Sequence, residues 1–253
     1  MAITLHYTNR IDASGVVFTA SSAQTDLPAS NVANAQRTRV WRTGSSTAAE
    51  TLVMDLLTAQ AITAVIILDH TLTAGDSLIK IQGNASDSWG APSFSSTFTW
   101  ASSEMYKTFA AETYRYWRFI FTKSAAGETR DIGRIYLGSS VDLGRDPDHE
   151  GYAAEDIDRS ITHRSVGGQT YSLSRDSYIH ETYKFTKISN TVKGQLTTLA
   201  AAVGTHTPWF CYFDGVMTVP RYVKLGALLK QPVSGGITAA LVWDMELETN
   251  EEL

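Results

Sequence analysis

Over its first 140 residues the sequence consists of short apolar runs with β-strand periodicity, separated by turn residues. The run from Ile62 to Leu68 is β-branched and nearly continuous, which is typical of a strand buried on both faces. Residues 114–122 alternate, so that Trp117 and Phe119 fall on one face of a strand and Arg118 falls on the other. No amphipathic helix longer than about two turns interrupts these runs, and the pattern therefore predicts an antiparallel β-sandwich.

The last 100 residues combine further strand-like runs with one helix. Four apolar residues recur at helical spacing: Val192, Leu196, Leu199 and Val203. Ser189 or Asn190 is suited to cap the start of this helix, and Gly204 is suited to end it. Strand-like runs lie at residues 169–174, 181–188 and 208–215. The sequence therefore predicts a mostly β domain with a single α-helix in this part of the chain.

A stretch rich in Gly, Ser, Pro and Asp separates these two parts. It runs from Gly138 to Gly151, and the apolar periodicity stops before it and resumes after it. Residues of these types favour turns and loops that are solvated by water. We therefore predict a domain at residues 1–140, a linker at residues 141–150 and a second domain at residues 151–253.

Charge and cysteine content exclude several classes of function. The chain has 21 basic and 26 acidic residues, a net charge of -5, and the two signs balance within residues 1–140. Binding to a phosphate backbone needs clustered cations, so we expect no nucleic acid partner. No apolar run approaches the roughly 20 residues that span a bilayer, so we expect no membrane insertion. Cys211 is the single cysteine, which excludes an internal disulfide and a thiolate metal cluster.

No motif in the sequence recommends an enzyme. The six histidines are dispersed without a His-x-x-x-His pair, and neither a Gly-x-Ser-x-Gly elbow nor a glycine-rich phosphate loop is present. Asp69 and His70 follow a predicted strand, where a loop can hold a base and the group that orients it, but a solvated turn is the explanation that we favour. We therefore expect no enzymatic activity, no catalytic residues and no cofactor.

Alternating acids in the predicted linker resemble the first half of a calcium loop. Asp146, Asp148 and Glu150 precede Gly151, which would permit the sharp turn that such loops need. The acid expected at the twelfth position is replaced by Ile157. We therefore predict a solvated acidic linker and no metal site.

One aromatic residue differs from the other tryptophans in its surroundings. Trp41, Trp117, Trp209 and Trp243 lie in apolar runs and are predicted to be in the core. Trp89 instead lies in a polar loop with Asn84 and Asp87, and a ring flanked by hydrogen-bonding side chains is suited to stack on a sugar. Trp100 and Tyr106 lie in the next loop region and complete this predicted carbohydrate site. The alternative is that Trp89 folds back onto the sandwich.

Residues from about 28 to 140 resemble a galactose-binding-like, discoidin-type jelly roll. The resemblance is carried by Pro28-Ala-Ser-Asn-Val32, Val40-Trp-Arg-Thr43, Met54-Asp-Leu56, residues 114–121 and the closing Ile132-Gly-Arg-Ile-Tyr-Leu-Gly138. Members of this fold are β-sandwiches, and many bind sugars. The resemblance therefore implies a jelly-roll sandwich that either binds a glycan or has a purely architectural role.

Residues from about 150 to 253 resemble the ring-forming domain of phage distal tail proteins and related minor tail proteins. The resemblance is carried by Ser165-Val-Gly-Gly-Gln-Thr-Tyr171, the helix ending at Gly204, Pro208-Trp-Phe-Cys-Tyr-Phe-Asp-Gly215 and the closing Trp243-Asp-Met-Glu-Leu-Glu248. It implies a homo-oligomeric, hexameric ring at the distal end of a tail. Its partners would be the tail tube protein, the tail hub and other baseplate proteins.

Together these observations predict a mainly β protein, with a galactose-binding-like jelly-roll sandwich followed by a smaller β-rich ring-forming domain with one α-helix. The expected function is that of a structural virion protein at the tail tip or baseplate, assembled in the host cytoplasm, which links the tail tube to the adsorption apparatus. The alternative is a carbohydrate-binding module or adhesin that recognises host surface polysaccharide. Genes for tail proteins beside its own would favour the first function.

Overall fold

The described part of the protein is mainly β-strand and has one α-helix. The computed structural model describes residues 2–45, 48–227, 233–234 and 242–252. Within these residues seventeen strands and the helix account for most of the regular structure, together with two short 3-10 helices at Arg10–Asp12 and Ala29–Ala33. This confirms the predicted fold class, mainly β with one α-helix.

The chain divides into two compact units. The N-terminal unit is Thr8–Ser140, and the C-terminal unit combines Met1–Tyr7 with Val141–Leu253. The first seven residues were expected in the first domain, but the strand that they begin pairs with residues 210–213 of the C-terminal unit. A pairing between segments about 200 residues apart leaves no trace in local periodicity, which is why the sequence pattern did not reveal it.

Eight strands lie wholly or mainly in the N-terminal unit. They are β2 (Val17–Ala20), β3 (Trp41–Arg42), β4 (Ala49–Ile67), β5 (Ser77–Asn84), β6 (Phe94–Thr97), β7 (Met105–Thr122), β8 (Asp131–Ile132) and β9 (Ile135–Asp142). The main sheet of this unit has the order β9-β4-β7-β5-β6, β2 pairs with the first half of β4, and β3 and β8 form a separate pair. The two longest strands, β4 and β7, pair along most of their length with two irregularities in register.

The core of the N-terminal unit follows the alternation of β7. Trp117, Phe119 and Phe121 are buried on one face, as the period of the sequence predicted, and Trp41 packs against Phe121 edge to face. Burying these rings together removes a large apolar area from water, which is the main favourable term for folding this unit. The predicted core positions of Trp41 and Trp117 are confirmed.

The remaining elements belong to the C-terminal unit. They are β1 (Ile3–Asn9), β10 (Tyr152–Ile157), β11 (Ile161–Arg164), β12 (Thr170–Leu173), β13 (Tyr178–Ile188), α1 (Asn190–Val203), β14 (Trp209–Phe213), β15 (Arg221–Leu225), β16 (Val233–Ser234) and β17 (Val242–Glu251). The sheet has the order β10-β13-β17-β15-β14-β1, β16 pairs with β17, and β11 pairs with β12. Two of the described strands cross the boundary between the units: β1 with its last two residues, Thr8 and Asn9, and β9 with its last two, Val141 and Asp142.

The helix α1 begins and ends where the sequence predicted. The Ser189 hydroxyl accepts a hydrogen bond from the Val192 N–H, and Gly204 follows the helix with a φ of 53°, a region that favours glycine. The four apolar residues at helical spacing are all buried in the core of this unit, together with Trp209. Trp243 is partly buried and packs against the same core. The helix is therefore capped at both ends, and its buried face packs into the core of the C-terminal unit.

The segment predicted as a linker is packed into the C-terminal unit. Leu143 is buried, and the backbone N–H of Ile3 donates to the carbonyl of Arg145. Asp148 pairs with Arg145 and also accepts from the backbone N–H of Thr186. Asp148 therefore holds local structure together. No group of three or more potential metal ligands is found among the described residues. None of the described residues forms a helix that is both long and apolar enough to cross a membrane.

Candidate functional site

The polar loop after β5 is held closed by Asn84. Its side-chain oxygen accepts from the Ala85 N–H and from the Ser93 hydroxyl, and its side-chain amide donates to the carbonyl of Ser88. These bonds join both ends of the loop. Asn84 is therefore occupied in fixing the loop that carries Asp87 and Trp89.

Trp89 is braced by its neighbours on two sides. Its indole N–H donates to Asp87 over 2.6 Å, and the guanidinium of Arg118 lies over the ring, 4.5 Å from its centre. Arg118 is itself anchored by Gln82, to which its Nε donates over 3.0 Å. Burial lowers the pKa of Arg118, and the charge of Asp87 opposes this shift. One face of the Trp89 ring and its only polar atom are thus already in use.

Trp100 and Tyr106 lie elsewhere in the N-terminal unit. Trp100 is 37% exposed and its indole N–H donates to the carbonyl of Leu72. Tyr106 is the second residue of β7 and pairs with Ile66 near the end of β4. The structure thus groups Asn84, Asp87 and Trp89 in one loop and places Trp100 beside the segment that follows β4.

An open cleft lies where β4 ends and β7 begins. It has a volume of about 390 Å³. Its walls come from four separate stretches of the chain: Arg37 and Val40; Asp69, His70 and Thr71; Ser102, Ser103 and Glu104; and Asp131. The sequence had singled out Asp69 and His70, but the other lining residues carry no local signal because they meet only in the fold.

The backbone makes a tight approach at Asp69, one of the residues that line the cleft. Asp69 has a φ of 54°, and Gly133 passes so close that a Cβ atom there would lie 2.6 Å from the carbonyl oxygen of Leu68. This contact requires glycine at position 133. Next to it, His70 forms a bridge with Ile132, the Thr71 backbone N–H donates to the carbonyl of Asp131, and the Asp131 N–H donates to the Thr71 hydroxyl.

Two bidentate ion pairs fix carboxylates in and beside the cleft. Arg37 donates to both oxygens of Asp69, over 2.8 and 2.7 Å. Arg42 donates to both oxygens of Asp131, each over 2.6 Å. Paired in this way, the side chains are held in one orientation and their charges are largely compensated locally.

Two lining residues, His70 and Glu104, have no ion pair among the described residues. Neither ring nitrogen of His70 has a hydrogen-bond partner among the described residues. Burial lowers the pKa of His70, and the carboxylates of Glu104, Asp69 and Asp76 oppose that shift. His70 is therefore biased toward its neutral form, in which one ring nitrogen donates and the other accepts. Glu104 lies near enough to act on it, and it is half-buried directly before β7.

The cleft is therefore suited to bind a ligand that has several hydroxyl groups. It offers a neutral imidazole, a carboxylate and the hydroxyls of Ser102 and Ser103, with an exposed tryptophan close by in sequence. Hydrogen bonds in both directions and one apolar ring surface match the polar edge and apolar face of a sugar. Asp69 and His70 do not form a base and orienter, because Asp69 is paired with Arg37 and His70 has no partner among the described residues.

Comparison with known proteins gives structural likenesses only. No family model matches the chain, and no curated protein matches it. A chitosan-binding module from a Paenibacillus chitosanase/glucanase has 22% sequence identity and a TM-score of 0.43, over 53% of this chain and 100% of that module. A fucose-binding module from Streptococcus pneumoniae has 14% identity and a TM-score of 0.43, over 52% of this chain and 98% of that one.

Part of a longer enzyme has a similar TM-score. A Ruminococcus gnavus fucosidase in complex with fucose has 15% identity and a TM-score of 0.42, over 53% of this chain and 27% of the fucosidase. The match therefore spans about a quarter of that enzyme. These likenesses show what about half of the chain is similar to.

Proposed function

We propose that the N-terminal unit binds a glycan in the cleft around His70. The observation that carries this proposal is the convergence of His70, Glu104 and two serine hydroxyls on a cleft of about 390 Å³, with both imidazole nitrogens free of partners among the described residues. A buried polar group without a partner costs free energy, and a sugar hydroxyl in the cleft would remove that cost.

Preorganised charges support this assignment. Arg37 and Asp69 are locked together, so a ligand would meet side chains that need little rearrangement. The Trp100 ring, held by its bond to Leu72, would supply the apolar surface on which a sugar face stacks. A single small site of this kind binds at about millimolar affinity, and several copies presented together gain through effective concentration.

The charge of the cleft favours some glycans over others. Three carboxylates line it, those of Asp69, Glu104 and Asp131, against the single guanidinium of Arg37. Asp131 is neutralised by Arg42 and Asp69 by Arg37, which leaves Glu104 as the uncompensated charge. We therefore expect neutral hexoses and amino sugars to bind, and glycans with sialic or uronic acids to be excluded by repulsion.

A glycan array tests this function with the full chain, multimerised through an affinity tag. The wild type is expected to bind neutral or amino-sugar glycans, and His70→Ala and Glu104→Ala are each expected to abolish the signal. Trp89→Ala is the matched control, because it removes an aromatic side chain of the same unit outside the cleft. Loss of binding in Trp89→Ala with retention in His70→Ala would place the site in the loop after β5 instead, and an array without any signal would refute glycan binding.

The tail-tip function implied by the resemblance of residues 150–253 stays a prediction. Tape-measure and tail-hub genes beside the gene for this chain would support it. A glycan-binding unit is compatible with such a setting, because weak sites repeated on a particle retain it at a cell surface.

A further inference from the structure

The imidazole of His70 lies in the wall of the cleft with both ring nitrogens buried, and neither has a hydrogen-bond partner among the described residues. The position of the residue is set by its backbone, which forms a bridge with Ile132 of β8. In the neutral ring one nitrogen donates and the other accepts, so the ring can serve a ligand hydroxyl in either direction. A proton added to the ring removes the accepting nitrogen and creates a positive charge away from water.

The carboxylates around His70 are paired with arginines, with one exception. Asp69 precedes His70 in the chain, Asp131 lines the cleft from β8, and Asp76 acts on His70 from the segment before β5. Their partners donate over 2.7, 2.6 and 2.8 Å in the pairs Arg37 with Asp69, Arg42 with Asp131 and Arg130 with Asp76. The exception is Glu104, which lines the cleft directly before β7.

A charge on His70 therefore has one carboxylate beside it that is not already paired with a cation. The paired carboxylates attract a new positive charge weakly, because the arginines beside them repel it. Glu104 attracts it without such opposition. An imidazolium and a carboxylate form a charge-assisted hydrogen bond, which is stronger than a bond to a neutral hydroxyl. Pairing of His70 with Glu104 would thus occupy both groups that the proposed function assigns to the ligand.

We propose that a proton on His70 excludes the ligand from the cleft, because the imidazolium then pairs with Glu104. This inference rests on the proposed function and adds its regulation, since the ligand and the proton compete for the same imidazole. At neutral pH the ring is uncharged and the ligand binds. In acid the pair between His70 and Glu104 takes the place of the ligand, and a glycan bound at neutral pH is released.

The pH range of the release follows from the surroundings of His70. Burial lowers the pKa of His70 from its ordinary value of 6.5, and the carboxylates of Glu104, Asp69 and Asp76 oppose that shift. The ring therefore gains its proton below pH 6.5. Because the ligand binds the unprotonated ring, its dissociation constant rises as the pH falls through the pKa of His70, by up to about tenfold per pH unit.

Nuclear magnetic resonance of the full chain without ligand tests the pairing. The ring C–H signals of His70, assigned by their absence in His70→Gln, are followed from about pH 7.5 to about pH 4.5. Glu104→Gln is expected to lower the pKa of His70 by about 1, because the imidazolium loses its counter-ion. Asp87→Asn is the matched control, since it removes a carboxylate of the same unit that does not line the cleft, and should leave this pKa unchanged. Equal pKa values for His70 in the wild type and Glu104→Gln would overturn the pairing, and so would a His70 that stays neutral until the chain unfolds.

Titration of the full chain with an uncharged galactose disaccharide tests the release, because the charge of this ligand does not change with pH. The wild type is expected to bind it at about pH 7.5, and the dissociation constant should rise about tenfold for each pH unit below the measured pKa of His70. By linkage, saturating disaccharide should lower the pKa of His70. The amide signals recorded at each pH show whether the chain remains folded.

The outcomes of this titration separate the inference from the proposed function. A dissociation constant that stays unchanged below the pKa of His70 would overturn the release and leave the proposed function standing. Absence of binding at about pH 7.5 would instead refute the proposed function, and the inference with it.

Discussion

Replacing the buried His6 with leucine is expected to remove much of the acid sensitivity of the C-terminal unit. His6 lies on β1 opposite Phe210 of β14 and has no exposed surface. Burial lowers its pKa from 6.5 to about 3. As the pH falls, the unfolded chain takes up this proton near pH 6.5 while the folded chain resists it. Above pH 6.5, His6 therefore does not reduce the free energy of unfolding. As the pH falls from 6.5 toward 3, the free energy of unfolding decreases, because the unfolded chain binds the proton and the folded chain does not.

The size of this effect follows from the shift. Each pH unit between the two pKa values costs about 1.4 kcal/mol, so the loss from His6 is about 2 kcal/mol at about pH 5 and approaches about 5 kcal/mol near pH 3. A whole domain is stable by only about 5–15 kcal/mol, so one buried histidine can decide its acid limit.

Urea unfolding at about pH 7.5 and about pH 5, followed by far-ultraviolet circular dichroism, measures this loss above the range in which most carboxylates titrate. The wild type is expected to lose about 2 kcal/mol more than His6→Leu between the two conditions. His149→Gln, at an exposed histidine of the same unit, should behave as the wild type. Equal losses in the wild type and His6→Leu would refute the reasoning, because they would show that burial of His6 does not oppose its protonation.

Two further predictions concern stability. Lys123 and Glu50 form an ion pair of 3.0 Å in which neither side chain is exposed. Lys123→Met should therefore lower the free energy of unfolding of the N-terminal unit, measured in urea, by about 3–5 kcal/mol. Adding Glu50→Gln should recover most of this loss, because it removes the uncompensated buried charge. Failure of the second substitution to help would show that the uncompensated charge is not the cause. Ser189→Ala should lower the free energy of unfolding by about 1 kcal/mol, because it removes the N-cap of α1. Thr191→Ala, at an exposed position in the first turn of the helix, should leave it unchanged. The thermal midpoints of the two variants test this difference.

Local features of the fold were predictable because short segments determine them. The helix α1 was predicted from four apolar residues at helical spacing, a serine cap and Gly204, and its bounds in the structure are Asn190–Val203. The buried face of β7 was predicted from alternation alone. In both cases the signal lies within a few neighbouring residues, where periodicity and capping act.

Features that join distant segments were not predictable in this way. Arg37 meets Asp69 across 32 residues, and the cleft unites four stretches of the chain that share no motif. The tryptophan that the sequence favoured, Trp89, is braced by Arg118 from another strand, a contact that composition cannot reveal. Only Asp69 and His70 pointed to the cleft, because two polar residues directly after a buried strand are placed at the end of a sheet.

A titration of the full chain, labelled with nitrogen-15 and followed by nuclear magnetic resonance, tests the central claim most directly. The ligands are an uncharged galactose disaccharide, a glucosamine oligosaccharide and a sialylated glycan of similar length. Binding in the cleft predicts that the first two shift the amide signals of residues 69–71 and 102–104, and that the sialylated glycan leaves them unchanged. Shifts centred on residues 84–89, or no shift with any of the three ligands, would contradict the proposal that this cleft binds a glycan.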